Sequence, residues 1–448
     1  MQTTIAGPTY REMLHPELLP PAIRGAALAG AANELDPVNL FNITWRGPDN
    51  QVRQVVLPPE LTGVAANIVV LVGRNFPSGS HKVGPAYTTL MEGELAGEIV
   101  PGVHTMIGPS TGNFGIGVAY ISKLKGYPAI VIMPEQMSRE RYERIRKYGG
   151  ELDLTPGSES DVILVLERTE HFKKDSKNKI LAQFELLPNY RFHRYVTGLS
   201  AIEAAAAHGN GRIAAFVSAP GSAGTLAAGD EIKARYPEAV ICAPEPKECS
   251  TLFNNGRGTH RIEGIGDKMV TLIHNVLTTD YVMLIHDDDC VAGLALVERH
   301  AAMTGKILGM RDGTMAAFAG IFGISSICNI LGAIRLARHL KLGANDNVVT
   351  IATDGFDRYP SVLADLERRR GPIGAQAFDE VFRGGSADEL LDVRGKPQKQ
   401  RLFDLKEQVW SGFGYSHEYL EKMQSQDFWD GEFAKVEAID RALLAARG

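Results

Sequence analysis

The sequence predicts an α/β protein of two doubly wound, mainly parallel-sheet units, and three observations predict it. At 448 residues the chain exceeds the roughly 250–300 residues that a single hydrophobic core serves, so two packed units are expected. From about residue 66 onward, short apolar runs alternate with helical patterns, the signature of strand, crossover helix and parallel strand. Glycine-rich segments recur between predicted strands and predicted helices, where open α/β sheets turn their chain.

Taken in order, residues 1–60 are rich in Pro, Ala and Gly with weak periodicity and are expected to lie on the core as an N-terminal extension. Residues 61–210 are assigned to a smaller α/β unit and 211–365 to a larger one. Strands are expected at Asn67–Val72, Thr105–Gly108, Ala129–Met133, Val162–Leu166, Ala214–Val217, Val240–Ala243 and Val348–Ala352, each bounded by turn-forming residues. Several are β-branched throughout, as strands covered on both faces require. Ile116, Tyr120 and Leu124 share a helix face that Gly126 closes. Residues 366–448 read as a helical extension carrying Trp410, Phe413, Tyr415, Tyr419 and Trp429; these aromatics suit docking onto the body or a second subunit, or a lid.

Composition narrows the partners. Hydrophobic residues at 44% and charged residues at 22% match globular averages and argue against disorder. A net charge of -6 without a run of like charges gives no footprint for nucleic acid or an anionic membrane, so neither is expected. The four cysteines, Cys242, Cys249, Cys290 and Cys328, form no C-x-x-C pair, which suits a reducing cytoplasm. No secretory pattern opens the chain and no apolar run reaches roughly 18 residues, so a soluble, unprocessed protein is expected.

Three segments could carry chemistry. In Asn75-Phe76-Pro77-Ser78-Gly79-Ser80-His81-Lys82 a lysine follows a turn of small residues, which let backbone approach a ligand closely. Ser110-Thr111-Gly112-Asn113-Phe114-Gly115 is compatible with a carboxylate nest or with a plain N-cap. Gly221-Ser222-Ala223-Gly224-Thr225 suits a phosphate at a helix N-terminus, or is a simple strand-to-helix turn. Neither a Walker A motif nor a G-x-G-x-x-G fingerprint is present, so nucleotide readings lack support. His286-Asp287-Asp288-Asp289-Cys290 has metal-ligand chemistry, yet it precedes a helix where Asp is a natural N-cap, and no metal is expected. Cys249 and Cys328 read as packing residues.

In this order the segments resemble the PLP-dependent (pyridoxal phosphate) fold type II enzymes, the family of cysteine synthase, cystathionine β-synthase, threonine dehydratase and the tryptophan synthase β-subunit. The similarity runs from about Thr62 to Tyr359. Pro77 to Lys82 resembles the family's lysine motif, which makes Lys82 the Schiff-base lysine and catalytic base; the His81-Lys82 pair resembles the tryptophan synthase branch, where the histidine neighbours the cofactor phosphate. Ser110-Thr111-Gly112-Asn113 resembles the substrate-carboxylate loop, whose asparagine also holds the cofactor's 3′ oxygen. Gly221 to Thr225 resembles the phosphate loop. Gln183-Phe184 with Asn189 and His193 is similar to a segment whose glutamine contacts substrate, and Ile262-Glu263-Gly264-Ile265-Gly266 to a further family signature.

The sequence departs from the pattern at Val83-Gly84-Pro85, at Phe114, and where the pyridine nitrogen usually meets a hydroxyl. There Gly355 takes the aligned place, leaving Thr353 and Asp354 as alternative partners. A hydroxyl keeps that nitrogen unprotonated and favours prompt loss of a β-substituent, whereas a carboxylate supports a longer-lived carbanion. The resemblance implies β-replacement or β-elimination on a serine- or cysteine-type amino acid through an aminoacrylate, by a homodimer. Two alternatives stay open: an amino-acid dehydratase or ammonia-lyase, and a non-catalytic PLP or amino-acid sensor.

Overall fold

A computed structural model describes residues 6–110, 112–371, 374 and 377–447. Among them eleven strands form: β1 (Gln54–Leu57), β2 (Asn67–Val72), β3 (Thr105–Pro109), β4 (Ala129–Pro134), β5 (Glu151–Thr155), β6 (Asn178–Ile180), β7 (Ile213–Val217), β8 (Val240–Pro246), β9 (Tyr281–Ile285), β10 (Asn347–Ala352) and β11 (Leu390–Asp392). They build a seven-stranded sheet ordered β1-β2-β10-β7-β8-β9-β11 and a four-stranded sheet ordered β5-β4-β3-β6. Pairing is parallel except at the two edges of the larger sheet, β1 with β2 and β9 with β11. This is the α/β architecture with mainly parallel sheets that the alternating pattern predicts.

The central strands are continuous apolar runs because helices cover both faces. β10 is buried along its whole length and β2 in all but its first residue. The helix Asn113–Lys125 forms as expected and ends on Gly126 in the left-handed conformation (φ 76°).

Four features correct the sequence reading. Val162–Leu166 is the start of a helix, Val162–Phe172, rather than a strand. Its buried positions Val162, Val165, Leu166 and Thr169 follow a helical spacing, which a short apolar run alone cannot reveal. Second, β2 does not join the smaller sheet, whose four strands come from residues 105–180; it lies between β1 and β10, where both of its apolar faces are covered. Third, the first sixty residues supply β1 and the fully buried Tyr10 and Trp45, so they complete the core as well as lying on it. Fourth, Asp287 to Asp289 occupy the first turn of the helix Asp287–Glu298, with His286 at the cap position. There they favour the helix dipole, and Asp287 and Asp289 pair with Arg261 and Arg335.

The C-terminal segment docks onto the body. Its helices Lys396–Trp410, His417–Lys422 and Gln426–Arg447 bury Trp410, Leu420 and Trp429 against Leu272, Ile273 and Tyr190. Trp410 Nε1 donates to the Val270 carbonyl at 2.9 Å. Lys406 Nζ donates to the carbonyls of Leu272 and His274 at 3.0 and 2.6 Å. No helix of the described residues is long and apolar enough to cross a membrane.

Candidate active site

Strand order brings two of the three chemical segments, and Thr353 with them, to one edge of the larger sheet. β2, β10 and β7 are parallel neighbours, so the loops leaving their carboxyl ends share one edge, where ligands of open α/β sheets bind. Those loops carry Lys82, Thr353 and Gly221–Thr225.

After β2 the chain turns through Ser78 (φ 64°) and Gly79 (φ 80°). Arg358 and Arg144 donate to the Ser78 carbonyl at 2.6 and 3.2 Å and hold this turn. A side chain at Gly79 would meet their guanidinium nitrogens at 3.0 to 3.1 Å, so the tight turn needs glycine. Lys82 then stands at the N-terminus of the helix Val83–Leu95. Its Nζ donates to Ser222 Oγ at 3.2 Å and to Gln183 Oε1 at 3.4 Å. Burial pushes the Lys82 amine down to about 8, against the Asp267 and Glu159 carboxylates, which hold it up. A lysine tuned in this way is available in its neutral, nucleophilic form near neutral pH.

The loop Gly221–Thr225 is shaped by close approaches. A Cβ at Gly221 would lie 2.4 Å from the Gly264 carbonyl oxygen, and one at Gly224 would lie 2.3 Å from Asn189 Oδ1. Ala223 adopts the left-handed conformation (φ 62°). Asn189 Nδ2 donates to Ser222 Oγ at 3.0 Å, and Thr271 Oγ1 donates to the Ser222 carbonyl at 2.9 Å. Thr225 Oγ1 shares a hydrogen bond with Ser218 Oγ at 2.6 Å.

In the segment after β3, Ser110 Oγ accepts from the N–H groups of Gly112 and Gly115 at 3.0 and 2.9 Å and so ties down the first turn of the helix, whose cap position is Gly112 and not Ser110. Thr111 lies outside the described residues. Asn113 is gripped on both sides: Arg358 Nε donates to its Oδ1 at 2.7 Å, and its Nδ2 donates to Asp354 Oδ2 at 2.6 Å.

Lys82, Ser110, Gly112, Asn113, Gln183, Gly221, Ser222 and Thr353 face one cleft. Thr353 and Asp354, alternatives from the sequence, part company here. Thr353 lines the cleft, with its Oγ1 3.3 Å from His81 Nε2. Asp354 sits behind Asn113 and also accepts from Tyr359 OH at 2.8 Å. His81 is buried against Trp45 and His193.

Sequence reasoning missed Asp267, which lines the same cleft one residue beyond the Ile262–Gly266 signature. Burial pushes its carboxyl up to about 7, with Lys82 pulling the other way. Nothing local marks it, since its meaning depends on proximity to Lys82. Also missed was Arg141, which pairs with Glu263 at 2.7 Å and donates to Tyr359 OH at 3.0 Å beneath the Ser110–Asn113 loop.

The site fits PLP. Lys82 can form the imine, and Gly221 and Gly224 leave the loop backbone free of side chains that would stand between it and a phosphate. Close to it, buried His81 Nδ1 and His193 Nε2 have no hydrogen-bond partner among the described residues, which a phosphate would remedy for whichever of them carries a hydrogen.

Comparison with known proteins agrees. Cysteine synthase of Staphylococcus aureus is 31% identical over 299 residues, covering 66% of this chain and 88% of that one. The crystal structure of O-acetyl serine sulfhydrylase isoform 3 from Entamoeba histolytica superposes with a TM-score of 0.59 at 26% identity, over 73% of this chain and 92% of that one. That of an O-ureido-L-serine synthase gives 0.58 at 25%, over 70% and 92%. Residues 60–354 match the family model described as pyridoxal-phosphate dependent enzyme. The chain therefore belongs to the pyridoxal-phosphate dependent enzymes, as a PLP-using member of the cysteine synthase type.

Proposed function

We propose that this protein catalyses β-replacement on a serine- or cysteine-type amino acid. The observation that carries the reading is the contact of Lys82 Nζ with Ser222 Oγ at 3.2 Å and Gln183 Oε1 at 3.4 Å, in a cleft also lined by Ser110 and Asn113. Bound PLP supplies the electron sink that lets an α-proton and then a β-substituent leave. Lys82 holds the cofactor and, once free, takes the α-proton. Positioned proton transfer of this kind contributes about 10²–10⁴-fold. Ser110, Thr111, Gly112, Asn113 and Gln183 receive the substrate carboxylate. Gly221, Ser222, Ala223, Gly224 and Thr225 hold the phosphate, with His81 beside it, and Thr353 serves the pyridine nitrogen. Asp354 acts through Asn113, a role supported by their 2.6 Å hydrogen bond.

The relatives named as cysteine synthase and O-acetyl serine sulfhydrylase support a transferase that uses sulfide or a similar small nucleophile. A second reading, β-elimination by a lyase, is favoured by Asp267, a carboxyl in the cleft able to carry a proton near neutral pH. The same proposal takes the chain as two α/β units acting as a cytoplasmic homodimer. Its four cysteines, all buried thiols, are compatible with that compartment, and sedimentation of the holoenzyme tests the dimer.

The experiment is a panel of serine- and cysteine-type amino acids, each mixed with the holoenzyme with and without sulfide. Turnover that requires sulfide supports replacement, whereas keto acid and ammonia released without it select elimination. A visible cofactor band with no turnover on the whole panel would leave only a sensor. Lys82→Ala should lose the covalent band, and full turnover by that variant would refute the assignment.

A further inference from the structure

We propose that His193 is a second ligand of the cofactor phosphate, set in its donating form by a relay from Trp45 through Thr197. The inference rests on the reading that Gly221–Thr225 receives the phosphate.

His193 is fully buried, and its Cδ2 lies 2.8 Å from where a Cβ on Gly224 would stand, so the ring edge bearing Nε2 abuts the loop. On the opposite side Nδ1 is 2.9 Å from Thr197 Oγ1. Trp45 Nε1, which can only donate, gives its hydrogen to that same oxygen at 2.9 Å. The hydrogen of Thr197 is then free to go to Nδ1, and in that arrangement the ring hydrogen of neutral His193 sits on Nε2. That nitrogen has no partner among the described residues. A buried N–H without an acceptor is rare, and a phosphate oxygen in the loop would satisfy it.

His81 strengthens the argument. Its ring meets that of His193 edge-on at 5.0 Å, stacks near Trp45 at 5.5 Å, and leaves Nδ1 without a partner. Two imidazoles in contact, each with a free nitrogen, form a polar wall beside a glycine-rich cradle. Burial, with Lys82 beside His81 and with His81 and Lys82 beside His193, holds both below the usual histidine range, so both rings are neutral. Trp45 comes from the N-terminal sixty residues, outside the 60–354 family match, so the relay ties that extension to cofactor retention.

The test separates phosphate from ring. Apo-protein is titrated with PLP and with pyridoxal, which lacks the phosphate, following the visible imine band and the ³¹P resonance. His193→Phe keeps the volume and removes the N–H; it should weaken PLP roughly ten- to a hundredfold, as loss of a hydrogen bond to a charged group does, and leave pyridoxal unchanged. Thr197→Val keeps the ring but removes the relay, and should weaken PLP selectively by several-fold with a shifted ³¹P resonance. Thr225→Val serves as the loop control. If Thr225→Val is PLP-selective while His193→Phe and Thr197→Val affect both ligands equally or neither, the inference is overturned and the loop assignment stands. If no variant discriminates between the ligands, the loop assignment itself fails.

Discussion

Lys406 offers a sharp test of how the C-terminal segment is held. Its amine is buried, has two backbone carbonyls and the Trp429 ring at 5.4 Å as neighbours, and makes no ion pair with a carboxylate among the described residues. Burial pushes it from the ordinary 10.5 down to about 7. The folded state therefore binds fewer protons than the unfolded chain between these values, so this group makes stability rise with pH across that window. Below about 7 the amine is charged in both states and its full penalty applies; each pH decade is worth about 1.4 kcal/mol, giving a penalty of about 5 kcal/mol. By about pH 9 roughly 2 kcal/mol of it is left, a gain of about 3 kcal/mol relative to about pH 6.

Lys406→Met keeps the apolar stem and removes the titration. It also strips the Leu272 and His274 carbonyls of a donor, a loss of about 1–3 kcal/mol that is nearly independent of pH. The two effects separate in a pH series. Urea unfolding followed by tryptophan fluorescence should show the variant gaining on the wild type at about pH 6, with the advantage shrinking by about 3 kcal/mol at about pH 9. Wild type and variant changing in parallel over that range would mean that Lys406 is not a buried, uncompensated amine, and the docking described for this segment would be wrong.

Three further outcomes are expected. Asp267→Asn removes a charge that supports the Lys82 ammonium, so the pH midpoint for imine formation between apo-protein and pyridoxal should fall from about 8 by roughly one unit; a rise would contradict the proximity. Gly221→Ala places a methyl 2.4 Å from the Gly264 oxygen, which is backbone and cannot swing aside; cofactor retention after dialysis should drop sharply, with about 1–3 kcal/mol of stability lost in urea. Arg141→Met leaves Glu263 buried without its cation and should destabilise by about 3–5 kcal/mol, with part of the loss recovered below neutral pH as Glu263, already pushed up by burial, takes a proton. Equal destabilisation at every pH would show that Glu263 is not the group left uncompensated.

What the sequence made legible follows from how local each signal is. The Val- and Ile-rich runs of β2 and β10 announce strands because both of their faces are buried, and the same reasoning misreads Val162–Leu166, whose helical burial shows only over a longer span. β11 has three residues, none fully buried, and leaves no pattern to read. In the site, Lys82 and Gly221–Thr225 are legible because they lie in contiguous motifs with their own turn chemistry, whereas Gln183 is marked only by the family resemblance. Asp267 and Arg141 are not legible, since one gains its role from Lys82 and the other from Glu263, contacts that only the packed sheets create. Thr353 and Asp354 were separable only by orientation: adjacent residues at a strand end point to opposite sides, one to the cleft and one to Asn113.

The C-terminal segment lies beyond the family match, which ends at residue 354, yet it is connected to the cleft. Residues 270 to 279 form irregular backbone whose carbonyls need donors. Lys399 takes those of Val276 and Thr279, Lys406 those of Leu272 and His274, and Trp410 that of Val270. Within this stretch Thr271 donates to the Ser222 carbonyl, in the loop whose Ser222 hydroxyl meets Lys82. The path from the appended helices to the lysine is thus one continuous run of hydrogen bonds and peptide backbone. A loop built around glycines has little stiffness of its own, so the extension braces Gly221–Thr225 from outside through residues 270 to 279.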